Sequence, residues 1–464
     1  MAVPRSPLGP ILALGLLLAA CGGQASPSAP PASGPAASAA ATPSAEPSVG
    51  IGEVVAAPGS QSEVYQPNPA AIVVVIDPGH GGCLDWGVPN PWDNTVEKAE
   101  KADTLAIGLA LRDLLEEQGI TVVMTRTDDV ALAGDDYPDL GCTGPAWRDV
   151  DGNGEAGFEE TGRTRTRDEL QARIDLGNLA RADLLVSIPI NSMTQDGVAF
   201  EIAATQTFYD DETPWGEAGS GELGRLVQSR VAAALDEVAG YERQDRGTEA
   251  VAYYMISRQW QDGDSCETPG DTWCKPHRGA QLPAVLAEVG SISLEAESEL
   301  LAEQAGRRAV ADGLYAGIRD WLGQRQLAVR YDALLPGGEA GSTLEAIPGE
   351  GPPFAVTTLH GTDLVDGALP LRLTNTGQRT WGNGLELLAG WERSNAPYLA
   401  HAPVALDSTG LAIPALEPGE SVLVHVPLEL PDEGRSILWL TLSESGEPLT
   451  ERGSPALQLA WEGP

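Results

Sequence analysis

His80 lies in Ile76-Asp77-Pro78-Gly79-His80-Gly81-Gly82, where the apolar run Ile72-Val73-Val74-Val75-Ile76 ends abruptly in proline and glycines. An imidazole can ligate a metal or carry a proton, and the flanking glycines project it from the carboxyl end of a strand buried on both faces. Open α/β sheets bind ligands at that edge, so the segment points to metal-dependent hydrolysis. A histidine satisfied in an ordinary turn is the alternative. Glu288 sits in the apolar strand pattern Ala284-Val285-Leu286-Ala287-Glu288-Val289. A carboxylate there is costly to bury without a task or a structural partner. A third group of donors is Asp149, Asp151, Asn153, Glu155 and Glu160, spaced D-x-D-x-N-G-x5-E with Gly154 at the turn. That is the ligand spacing of a calcium loop, and its alternative is an empty acidic turn. Ala156 stands where a bulkier apolar residue usually packs.

The elements that must hold these residues alternate. A helix is expected from about Lys98 to Gln118, with Leu105, Leu109, Leu111, Leu114 and Leu115 on its buried stripe and Gly119 stopping it. Ile120 to Met124 reads as a strand, and Thr166-Arg167-Asp168-Glu169 has the capping-box pattern for a helix reaching Ala180. Leu184 to Ile188 follows as a strand, residues 220–238 as a helix, Val251 to Ile256 and Ala284 to Val289 as strands, and 294–323 as a closing helix. The order predicts an α/β domain over 69–326, a mostly parallel sheet with helices on both faces. A Gly/Pro-rich linker, 327–352, precedes short alternating strands over 353–464, which predict a smaller all-β immunoglobulin-like sandwich. Trp381, Trp391 and Trp439 are core residues of that sandwich or a sugar-stacking face. His360, His401 and His425 fall in the same region and read as structural.

The chain has 464 residues, enough for such a division, and it begins with an address. Residues 1–21 carry Arg5, the apolar run Ile11 to Leu18 and Leu18-Ala19-Ala20-Cys21, a secretory signal that resembles the bacterial lipobox. Cys21 is then the lipidated amino terminus, and a plain cleaved signal is the alternative. Residues 22–68 are largely Ala, Pro, Ser and Gly, a disordered tether. Cys83, Cys142, Cys266 and Cys274 form an even set in an exported chain, which favours disulfides. Cys266 with Cys274 is the local pairing and Cys83 with Cys142 the distant one, although spacing leaves the connectivity open. A formal charge of −39, from 67 acidic and 28 basic residues, argues against nucleic acid and against attraction to an anionic surface. Contact with a membrane would run through the lipid anchor alone.

Four stretches resemble the zinc-dependent N-acetylmuramoyl-L-alanine amidases of bacterial cell-wall turnover: Ile76 to Gly82; Glu100-Lys101 with Leu114 to Gly119; Arg173 to Asn178 with Ala182 to Ile188; and Pro283 to Gly290. The resemblance implies peptidoglycan as substrate, zinc as cofactor, His80 and Glu100 as ligands, and Glu288 as general base. Glu97 is the competing acid near the helix start, and spacing to Leu114-Leu115 favours Glu100. The family's third ligand is a histidine, and this chain has Pro189 in Ser187-Ile188-Pro189-Ile190-Asn191. Catalytic zinc normally has three protein ligands, so Asn191 and His277 are the candidate replacements. A second reading is a degenerate amidase-fold surface protein that binds peptidoglycan or a protein partner, with the immunoglobulin-like module as a possible docking surface.

Overall fold

The computed structural model describes residues 71–82, 85–88, 99–133, 150–151, 167–192, 194–195, 198–199, 203–258, 278–335, 358–394 and 398–463. The signal segment, Cys21, the tether and the four remaining cysteines lie outside the described residues.

A six-stranded sheet is built from β1 (Val73–Pro78), β2 (Thr121–Met124), β3 (Leu184–Ile188), β4 (Ala204–Tyr209), β5 (Gln244–Ala250) and β6 (Ala284–Glu288), in the spatial order β2-β1-β3-β6-β4-β5. Neighbours are parallel except β4 and β6, which run antiparallel. The sheet is therefore mixed. Three helices, α1 (Glu100–Glu116), α3 (Glu222–Ala239) and α5 (Gln304–Gln324), pack on one face through Ile107, Leu111, Val227, Val231, Val310 and Leu314 against Val74, Ile76, Val186 and Val285. On the other face, Ile174 of α2 (Arg167–Ala180) and the turn Tyr254-Met255-Ile256 cover Val73, Val75, Leu185 and Phe208. Each fully buried aliphatic side chain contributes roughly 1.5–3 kcal/mol, and both faces carry several.

Several local expectations change. Ile107, rather than Leu105 or Leu109, leads the buried stripe of α1, and Gly119 takes the left-handed conformation that ends it. Val251 to Ile256 is a turn, not a strand; the strand is the polar Gln244–Ala250, which as an edge strand has no face that must be apolar. β4 escaped the periodicity reading altogether. The closing helix is two helices, α4 (Glu295–Ala302) and α5, separated at Glu303, whose backbone is extended. At the start of α2 the expected capping residue, Thr166, lies outside the described residues; the Glu169 carboxylate accepts from the amides of Leu132 and Ala133 and from Arg173.

The second part is all β. β7 (Val329–Ala333), β9 (Ala368–Asn375) and β12 (Ser421–Pro427) form a three-stranded sheet, and a second sheet runs β8 (Thr358–Leu359), β14 (Leu457–Glu462), β13 (Arg435–Glu444), β10 (Leu385–Arg393), β11 (Asp407–Ala412). Leu369, Leu371, Leu373, Val424 and Val426 of the first meet Leu385, Leu387, Leu438, Leu440 and Leu459 of the second in one core. Because β7 pairs with β9, the sandwich begins inside the segment expected to be a linker. Trp381 and Trp439 are fully buried and Trp391 packs partly buried on the core, so these rings form no exposed stacking face. Trp215 of the α/β part lies with Ile437, Trp439, Ala456 and Ala460 in a shared apolar cluster. Around that junction Arg325 pairs with Asp183 at 3.0 Å and Arg181 donates to the Tyr331 carbonyl at 3.0 Å. Asp183 precedes β3, so the junction lies at the amino ends of the strands, away from His80.

Candidate active site

His80 follows β1 in the left-handed region, φ 62°, an uncommon conformation for a residue with a Cβ. What over-determines it is a pair of buried guanidinium groups. Arg173 of α2 donates to the carbonyls of Pro78 at 2.9 Å and His80 at 2.7 Å, while Arg126 donates to those of Pro78 and Gly79, each at 3.0 Å. Arg173 is balanced by Asp77 and Glu169, both at 2.7 Å. Burial alone would raise the Asp77 carboxyl, but Arg173, Ser187 and Thr125 outweigh it and hold it below the usual range. Thr104 of α1 also donates to the Gly79 carbonyl, at 2.8 Å. The turn is thus fixed to β1, α1 and α2 together.

Glu100 opens α1, where the helix dipole favours a carboxylate. Its Oε2 accepts from the Val88 amide and its Oε1 from the Ile190 amide, both at 2.7 Å. The same Oε1 lies 3.2 Å from His80 Nε2. On the far side of the ring, Nδ1 lies 2.8 Å from Asp85 Oδ1. A carboxylate only accepts, so Nδ1 carries a proton and Nε2 is the nitrogen turned toward Glu100. A lone pair facing a carboxylate oxygen at that distance is repulsive unless a proton or a cation lies between them. Burial opposes charge on His80, yet Glu100 and Asp85 prevail and raise its pKa well above the ordinary value.

Glu288 ends β6 opposite Gln206 of β4. On its other side is the extension of β3: the Val289 amide donates to the Pro189 carbonyl at 3.2 Å, which sets Pro189 beside Glu288. By strand alternation Asp77, Ser187, Pro189 and Glu288 share one face. Glu288 Oε2 is buried without a hydrogen-bond partner. Burial, reinforced by the negative charge of Glu100 and offset in part by His80, pushes its carboxyl up to about 8.

His80 Nε2 and Glu100 Oε1 are two donor atoms brought together at 3.2 Å; the raised pKa of His80 puts a proton between them in metal-free protein, and a divalent cation would take that proton's place. A catalytic zinc site normally takes three protein donors, of which this pair would be two. Pro189 offers none, and the described residues contain no cluster of three His, Cys, Asp or Glu side chains able to hold a metal. Asn191 is bound through its main chain, its amide to the Gly290 carbonyl at 2.9 Å and its carbonyl from the Ile292 amide at 2.8 Å. His277 and Glu97 lie outside the described residues, as do Asp149, Asn153, Glu155 and Glu160 of the calcium-type loop. Asp151 is described, and its buried carboxylate pairs with Arg167 at 2.9 Å. Sequence reasoning missed Asp85, Arg126 and Arg173. The one local signal was Asp77, a charge at the end of an apolar strand that demands a buried cation.

The sequence profile of the N-acetylmuramoyl-L-alanine amidases matches residues 74–320. The germination-specific N-acetylmuramoyl-L-alanine amidase of Bacillus subtilis (strain 168) is 24% identical over 247 residues, 53% of this chain and 78% of that protein. The uncharacterized protein YqiI of the same organism is 25% identical over 251 residues, 54% of this chain and 85% of that protein. Among solved structures, the CwlD amidase from Clostridioides difficile in complex with the GerS lipoprotein is 25% identical; the match covers 54% of this chain and 98% of that chain, with a TM-score of 0.37.

Proposed function

This chain belongs to the N-acetylmuramoyl-L-alanine amidase family, and from that premise we propose that it hydrolyses the amide between N-acetylmuramic acid and the L-alanine of the peptidoglycan stem peptide with zinc held by His80 and Glu100. The observation that supports this reading is the convergence at one end of the sheet of His80, Glu100 and Glu288, whose half-buried carboxyl has its Oε2 buried without a hydrogen-bond partner. When bound, zinc would polarise the scissile carbonyl and acidify the attacking water. Glu288 takes the water's proton and returns it to the amine nitrogen as the C–N bond breaks, a task suited to a group whose pKa is displaced toward neutrality. Asp85 and the Val88 and Ile190 amides orient His80 and Glu100.

Substrate lies outside the cytoplasm, in keeping with a cell-wall amidase. Among the described residues no helix is long and apolar enough to cross a membrane. The signal-like leader and Leu18-Ala19-Ala20-Cys21 support a lipid anchor, and the two facing sheets after α5 support an immunoglobulin-like module. Pro189 favours a second reading, a catalytically degenerate amidase-fold surface lipoprotein that binds peptidoglycan or a protein partner.

Release of stem peptides from purified peptidoglycan, with and without added zinc, tests the first reading, with Glu288→Ala as control. Release that depends on zinc and disappears in the control is the expected result. No release at any zinc concentration, in the native chain and in Pro189→His alike, would leave only the binding reading. In Pro189→His a regained third donor is expected to tighten zinc by at least about tenfold, on the scale of 1.4 kcal/mol.

A further inference from the structure

Asp85, Trp86, Gly87 and Val88 form a short segment laid across the His80–Glu100 pair, and its contacts reach both partners at once. Asp85 Oδ1 holds His80 Nδ1 at 2.8 Å. The Val88 amide holds Glu100 Oε2 at 2.7 Å. Between them Gly87, at φ 69°, lies so close that a Cβ would fall 2.5 Å from Glu100 Oε2 and 2.6 Å from His80 Cδ2. A side chain at 87 would have to displace His80 and Glu100, and the backbone conformation there favours glycine.

The segment is itself anchored. The Gly81 amide donates to the Asp85 carbonyl at 2.9 Å, closing the turn that contains His80. The carbonyls of Val88 and Trp86 accept from the Glu100 and Lys101 amides at 3.1 and 3.3 Å. These belong to the first turn of α1, whose amides have no partner inside the helix and no side-chain cap. Lys101 lies over the Trp86 ring, 5.7 Å from its centre. The main chain that caps α1 is therefore the one that delivers Asp85 to the imidazole.

We propose that residues 85–88 are a positioning strap for the site, with Asp85 as the residue that fixes the orientation of His80. The proposal deepens the amidase reading and rests on it for its purpose, but its geometry can be tested without substrate or metal. Such an outer partner would do more here than where three ligands hold a metal, because with proline at 189 the described residues bring only two donor side chains, His80 and Glu100, together. Outer partners of metal-ligating histidines typically contribute about 10- to 100-fold in metal affinity.

The experiment is nitrogen-15 histidine NMR on the full chain without metal, comparing the native protein with Asp85→Ala and Asp85→Asn, and zinc titration of the same samples. A downfield, slowly exchanging Nδ1 proton assigned to His80 is expected in the native chain, reduced in Asp85→Asn and absent in Asp85→Ala, with melting temperatures nearly unchanged. Zinc affinity should drop about 10- to 100-fold in Asp85→Ala. A His80 proton signal that persists unchanged in Asp85→Ala overturns the strap. Native protein that shows the signal but binds no zinc overturns the zinc reading and leaves the strap standing.

Discussion

Because burial and the Glu100 charge push the Glu288 carboxyl up to about 8 from an ordinary 4.5, the folded protein keeps a proton that the unfolded chain releases between those values. The unfolded state then binds fewer protons, so stability falls as pH rises through that window, by up to about 1.4 kcal/mol per pH unit. Glu288→Gln removes the slope. In metal-free protein its melting temperature is expected to exceed the native value by more near pH 9 than near pH 5, and equal differences at both would show that Glu288 is ionised throughout. Arg173 is a contrasting case, since its charge is already matched. Arg173→Met leaves Asp77 and Glu169 buried without their main cation and is expected to cost roughly 3–5 kcal/mol, read by denaturant unfolding.

At the scale of elements, α1 carries Glu100 to the site by pressing its Gly108 against the end of β1. A Cβ at that position would lie 2.6 Å from Pro78 Cγ, within a ring that cannot swing aside. Gly108→Ala, which in an exposed helix would stabilise by about 1 kcal/mol, is here expected to lower the melting temperature and weaken zinc binding by displacing α1 and Glu100. What the sequence disclosed of these elements followed the range of the forces. The strand before His80 was legible because its β-branched run and its glycines are neighbours in the chain. Glu100 came from the resemblance rather than from periodicity. Arg173 lies more than ninety residues from the carbonyls it holds, and nothing local announces such a contact. β5 was hidden by its polar composition, and Val251 to Ile256 looked like a strand because Tyr254, Met255 and Ile256 are buried, but as a turn capping the sheet. Proline at 189 was legible at once, and the structure adds its place beside Glu288.

For the whole molecule, the apolar cluster of Trp215, Ile437 and Trp439 together with the Arg325–Asp183 pair ties the β sandwich to the α/β part. One calorimetric transition is expected, and Trp439→Ala should destabilise both parts together by about 3–5 kcal/mol; two separate transitions in the native chain would refute the coupling. The buried guanidinium clamp under His80 has a further consequence. Arg126, Arg173, Asp77 and Glu169 are each no more than 2% exposed, so dissolved ions cannot reach them. The acidic exterior of a chain carrying −39 is reachable, and its self-repulsion is screened within about 10 Å at 0.1 M salt. Added sodium chloride is therefore expected to raise the melting temperature while leaving the Arg126 and Arg173 guanidinium signals where they were: ionic strength quiets the shell and does not enter the clamp.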